Sequence, residues 1–195
     1  MKLIISLLCS AILTTAPAAR AGDISSALAE PIFGQPYSCT EHWEGNLKGL
    51  GDELGTDCWI QELAEVHGRT WMRSYIGKGE RNQDWYGWHK EVLSPCTCEV
   101  VKINENPTTN RPGVLGKPPA SYIALKRDDG VFFLLAHAVE IQVKPGDKVQ
   151  SGQVIARVGN NGYSRQPHIH IGAWKGSEPL QVKFNQAAMG KLFER

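Results

Sequence analysis

From residue 122 to residue 158 the chain alternates short apolar runs with Gly- and Pro-bearing turns. Tyr122-Ile123-Ala124-Leu125-Lys126 and Val131-Phe132-Phe133-Leu134-Leu135-Ala136-His137 have the length and composition of strands, and Asp128-Asp129-Gly130 between them predicts a hairpin. Residues 141–143 and 148–149 read as short strands around Lys144-Pro145-Gly146-Asp147, where Pro-Gly predicts a type II turn. Ser151-Gly152-Gln153 is a second turn before the strand-like residues 154–158. Upstream, residues 91–93 and 99–103 also read as strands, and residues 104–116 with Pro118-Pro119 as a loop. Residues 22–66 lack clean alternation. Residues 25–30 predict a short helix, and the mixed apolar spacing of residues 52–66 predicts another. The pattern therefore predicts a mainly β protein, an antiparallel sheet or sandwich preceded by an irregular N-terminal extension.

The first residues carry a different signal. Met1-Lys2 is a basic start, residues 3–13 are apolar, and Ala19-Arg20-Ala21 fits a small-residue cleavage site. Residues 1–21 are thus expected to be a signal peptide, too short to span a membrane, with the mature chain secreted or periplasmic. Leu8 before Cys9 fits a lipoprotein signal poorly. The domain division expected is 1–21 leader, 22–70 extension and 71–195 core. The 195 residues suit one such core. Cleavage removes Lys2 and Arg20 and no acidic residue, moving the formal charge from +1 to slightly acidic. With no basic cluster, nucleic-acid binding is not expected, nor is stable membrane insertion.

Cleavage also removes Cys9 and leaves Cys39, Cys58, Cys96 and Cys98. An even count in an exported chain predicts two disulfides. On a flat strand Cys96 and Cys98 would have Cα atoms roughly 6.6 Å apart, near the limit for bridging, which favours pairing each with Cys39 or Cys58. A turn between them would allow a Cys96–Cys98 bridge instead.

The candidate chemistry lies in Gly159-Asn160-Asn161-Gly162-Tyr163-Ser164-Arg165-Gln166-Pro167-His168-Ile169-His170-Ile171. Side chains two apart on a strand share a face, so His168 and His170 point the same way. Two imidazoles on one face can bind a metal and leave one ring for acid/base work; the alternative is a pair of satisfied strand histidines.

The order Ala136-His137, Val143-Lys144-Pro145-Gly146-Asp147-Lys148-Val149, Gly152-Gln153-Val154-Ile155, Val158-Gly159-Asn160, Gly162, Ser164 and Pro167-His168-Ile169-His170 resembles the core of the LytM/lysostaphin zinc metallopeptidases. About 35 residues match in order and spacing, and residues 92–101 resemble the family's preceding strand pair more weakly. The resemblance implies a β-fold of the duplicated hybrid motif type. It implies zinc as cofactor, peptidoglycan cross-bridge peptides as substrate, His170 as a zinc ligand, and His168 and His137 as catalytic groups. An upstream aspartate would be a second ligand, and Asp84 sits about where it belongs. The family's H-x-x-x-D histidine is missing before Asp84, which leaves Glu80 or His67 as third ligand. His67 and His89 also read as plain surface histidines, and Glu80 as a solvated loop charge. Trp85-Tyr86-Gly87-Trp88 suits either a substrate wall or core packing. The departure at the ligand keeps a second reading open, a catalytically degenerate relative that binds cell wall or regulates a wall hydrolase. Residues 145–158 also resemble the hammerhead of biotinyl and lipoyl carriers, but no lysine is presented in a carrier's pattern.

Overall fold

The computed structural model describes residues 23–194. The leader expected at 1–21 lies outside them. In chain order the strands are β1 (Ser26–Ala29), β2 (Tyr37–Glu41), β3 (Thr56–Ile60), β4 (Glu62–Val66), β5 (Arg69–Arg73), β6 (Glu91–Leu93), β7 (Cys98–Asn104), β8 (Tyr122–Lys126), β9 (Val131–Ala136), β10 (Ala138–Val139), β11 (Lys148–Val149), β12 (Val154–Val158), β13 (Ile169–Lys175) and β14 (Glu178–Phe184). A short helix, α1 (Gln186–Gly190), follows. None of the described helices is long and apolar enough to cross a membrane.

The fold is mainly β, with a main sheet ordered β1-β14-β13-β9-β8-β7-β11. Its pairings are antiparallel except β1 with β14. Strand β13 is forked. From His170 to Lys175 it runs beside β9, while on its other edge β3 takes Ile169–Ile171 and β14 takes Ala173–Lys175. Strand β2 extends β3 outward. A smaller sheet, β10-β12-β6, and the separate hairpin β4-β5 complete the strands.

Strand alternation separates core from site. Phe133, Leu135, Ile123, Leu125, Ile169, Ile171 and Ala173 are fully buried and join Val92, Ala138, Ile155 and Ala156 of the smaller sheet in one apolar cluster. The opposite face carries Tyr122, Leu134, Ala136 and His170, which line a cleft of about 460 Å³.

Three sequence expectations are corrected. Residues 25–30 form no helix. The free edge of β14 accepts them as β1, with Ala27 and Ala29 inward. Residues 52–66 are not helical either, and Thr56–Ile60 has a strand's period-two burial. Both are cases of tertiary pairing overriding a weak local preference. Residues 141–143 form no strand, although the Gln142 backbone donates to the Ile155 carbonyl at 2.9 Å.

The disulfides also differ from the favoured pairing. They are Cys39–Cys58 and Cys96–Cys98. Cys39 and Cys58 stand directly opposite each other on β2 and β3. Residues 95–97 bend, which brings the Cys96 and Cys98 Cα atoms to 5.5 Å.

Candidate metal centre

The loop of residues 159–168 delivers its last residue, His168, directly into β13, and His170 follows two positions on. Both rings are buried and both turn toward Asp57 of β3. This follows from register, because His170 pairs with Asp57 across the β13–β3 edge. His170 Nδ1 lies 2.9 Å and His168 Nε2 3.5 Å from Asp57 Oδ1. His42, just past β2, brings its Nε2 to 3.5 Å from Asp57 Oδ2. Ligating atoms of His42, Asp57 and His170 all fall within 4.8 Å of one another.

Each ring spends its other nitrogen on a backbone carbonyl. A carbonyl only accepts, so that nitrogen carries the hydrogen. His170 Nε2 donates to Gly51 at 2.6 Å, His42 Nδ1 to Asp52 at 2.9 Å, and His168 Nδ1 to Gln166 at 2.8 Å. Three imidazole nitrogens freed in this way face one carboxylate. When the rings are neutral, lone pairs meet lone pairs, so the arrangement calls for positive charge among them, whether protons or a metal cation. Two imidazoles and a carboxylate are the donor types of a catalytic zinc, and ligand histidines oriented by a carbonyl are the usual outer support of such sites. The residues present fit the metal.

The electrostatics agree. Burial alone would raise the Asp57 pKa, yet hydrogen bonds from His168, His170 and His42 outweigh it and hold the carboxyl far below the usual range, fully ionised. The hydrogen bond to Asp57 in turn raises the His42 pKa.

His137 directly follows β9 at φ +69°, a left-handed conformation costly for a residue with a Cβ. Asn161 holds it there. The Asn161 side-chain amide donates to the carbonyls of His137 and Ala138 at 3.1 and 3.0 Å, and its backbone carbonyl accepts from His137 Nδ1 at 2.8 Å. Burial pushes the His137 pKa down to about 3, helped by the neighbouring His168 and His170 charges, so the ring is neutral near pH 7. Its ring centroid lies 4.6 Å from that of His168, which stacks on Trp59 at 5.3 Å.

The structure brings His137, His168 and His170 together and leaves the other sequence candidates elsewhere. Asp84 accepts from Arg81 Nη2 at 2.7 Å in a 3-10 turn at Asn82–Asp84, which lowers its pKa, and it is not among the residues lining the cleft. Glu80 is exposed beside that turn. His67 and Gly68, both at positive φ, form the tip of the β4–β5 hairpin, with His67 exposed. His89 pairs with Glu140 at 3.0 Å. Trp85 packs on Tyr75, and Tyr86 lies against the core, so this aromatic cluster is structural. The residues that sequence reasoning missed are His42 and Asp57. The available signal was the alternation Thr56-Asp57-Cys58-Trp59-Ile60, which marks a strand with Asp57 facing away from Cys58.

Residues 86–182 match the family model described as peptidase family M23. Among solved structures, that of a SpoIIIAH and SpoIIQ complex is similar at 19% identity, covering 78% of this chain and 94% of that one, with a TM-score of 0.50. A mutant catalytic domain of the prophage-encoded M23 protein EnpA from Enterococcus faecalis has 19% identity, 77% and 92% coverage and a TM-score of 0.49. The catalytic domain of the antimicrobial peptidase lysostaphin from Staphylococcus simulans has 19% identity, 73% and 86% coverage and a TM-score of 0.45. At 19% identity the likeness to the SpoIIIAH and SpoIIQ complex is one of fold. The family match covers the segments that carry His137, His168 and His170, and the chain belongs to peptidase family M23.

Proposed function

We propose that this chain is a zinc-dependent endopeptidase that acts outside the cytoplasm on the peptide cross-bridges of peptidoglycan. The observation that carries this reading is the convergence of His42 Nε2, His170 Nδ1 and Asp57 beside His168 and His137 in one cleft. His42, Asp57 and His170 would hold the metal, in place of the Asp84 set that the resemblance implied. The resemblance's H-x-x-x-D would then be stretched to His42 and Asp57, fifteen positions apart, by an inserted loop. Zinc bound there supplies an activated water and polarises the scissile carbonyl.

The chain's own groups handle the proton. With Nδ1–H committed to Gln166, His168 presents Nε2 as a base. Once protonated, that nitrogen becomes a donor, able to steady developing negative charge and then protonate the leaving amine, with Asp57 at 3.5 Å balancing the imidazolium. His137, neutral and with Nδ1–H held by Asn161, keeps an unprotonated Nε2 available to accept a hydrogen bond from substrate or water. The leader at 1–21 supports export, and the motif resemblance supports the substrate class.

The test is digestion of purified peptidoglycan by the mature chain and its His168→Ala variant, read as newly released amino groups. Cleavage by the first, and none by a variant that keeps its zinc, is expected. Zinc binding without any cleavage by the unmodified chain would replace this reading with that of a wall-binding or regulatory relative.

A further inference from the structure

The loop between His42 and β3 has a second job beyond joining two ligands. Resting on the metal reading above, we infer that the successive carbonyls of Gly51 and Asp52 select which nitrogen His170 and His42 offer the metal, and that Gly172 is the positioning residue that seats them. The two rings are used in opposite senses. His170 gives Nε2–H to Gly51 and keeps Nδ1 free, whereas His42 gives Nδ1–H to Asp52 and keeps Nε2 free. One short segment thereby turns two rings, entering from different strands, onto the same carboxylate.

The loop is braced to do this. The backbone N–H groups of Asp52 and Glu53 donate to Gly49 at 3.2 and 3.1 Å, and Gly55 donates to Asp52 at 3.1 Å. The His42 backbone donates to Gly55 at 2.8 Å, and the Glu53 carboxylate accepts from the Gly45 N–H at 2.6 Å. Three glycines sit where the loop must approach the sheet. Gly172 lies at the fork of β13, between the residues paired with β3 and those paired with β14, and a Cβ there would fall on the Gly51 carbonyl oxygen. Gly51, at φ +93°, rests over Trp174 and Leu134. A Cβ on Gly55 would stand 2.7 Å from His170 Cε1. A methyl group at Gly172 would therefore lift the carbonyl that fixes His170 while leaving every proposed ligand in the sequence.

Two measurements test this. Long-range proton–nitrogen NMR correlations of the imidazoles, in zinc-loaded protein, should place the ring proton of His170 on Nε2 and that of His42 on Nδ1. A His170 proton on Nδ1, or a His42 proton on Nε2, would overturn the inference. Zinc affinity, by competition with a chromophoric chelator, should weaken about 10- to 100-fold in Gly172→Ala. It should not change in Gly34→Ala, whose added Cβ would meet nothing within 4 Å. Wild-type affinity in a folded Gly172→Ala would also refute it; if that variant does not fold, the ring-proton assignment decides alone. Failure of the metal reading looks different. The unmodified chain would take up no zinc, and the ring protons, read in metal-free protein at alkaline pH, would still show whether the two carbonyls orient the rings.

Discussion

Replacing Asp57 by alanine separates the observed cluster from the one the family resemblance implied. Three imidazoles face this carboxylate, and Asp84 faces only Arg81. Asp57→Ala should lower zinc content from about one per chain to near zero, and Asp84→Ala should leave it unchanged. The reverse result, by metal analysis of the two purified variants, would return the site to Asp84. His137 gives a second residue-level expectation, in pH. Its pKa in the folded chain is pushed down to about 3 from 6.5. Below 6.5 the unfolded chain takes up a proton that the folded one refuses, so the stability this ring contributes is complete above that value. It is lost as pH falls toward 3, at roughly 1 kcal/mol per pH unit. In metal-free protein, chemical denaturation across that window should show a shallower loss for His137→Gln than for the unmodified chain. Parallel curves would mean that His137 is not held neutral.

At the scale of elements, β3 decides the site and is the element hardest to read from sequence. Strands β8, β9 and β12 were legible because each has clean alternation or an apolar run bounded by Gly or Pro turns. His168 and His170 were legible because neighbours on one strand fix a common face whatever surrounds them. Asp57 was not. Its partner lies 113 residues away, and the proposed ligand His42 is separated from it by a loop with no periodicity. Matching the family's motif order pointed to Asp84 because such a match reads only distance along the chain, whereas the β13–β3 register is a long-range fact. The Cys39–Cys58 bridge ties β2 to this strand next to Asp57, and closes a loop containing His42. In the chain-entropy account, a loop of this size is worth about 3 kcal/mol. Cys39→Ser with Cys58→Ser should cost stability of that order, read as a lower denaturant midpoint. Thiol counting checks the pairing itself. Cys96→Ser should expose Cys98 alone, and labelling of Cys39 or Cys58 in that variant would contradict it.

At the scale of the whole molecule, the family match begins at residue 86 and the core expected from sequence at residue 71, yet the proposed site draws on residues before both. Strand β3 occupies one arm of the β13 fork and carries Asp57, and His42 follows β2. Strand β1 closes the far edge of the sheet by pairing with β14, and Ile32, Phe33 and Tyr37 are buried in the main apolar cluster. Removing residues 22–70 would therefore strip two of three proposed ligands, leave the Ile169–Ile171 edge of β13 unpaired and open the core to water. An exposed apolar strand edge favours association between chains. The fragment 71–195 is accordingly expected to be aggregation-prone and to bind no zinc stoichiometrically, while the chain starting at residue 22 is monodisperse and binds it. Size-exclusion chromatography with metal analysis of both would check this. A monomeric 71–195 fragment that binds one zinc as tightly as the longer chain would show that residues 22–70 are an accessory after all, and would remove His42 and Asp57 from the proposed metal centre in a single experiment.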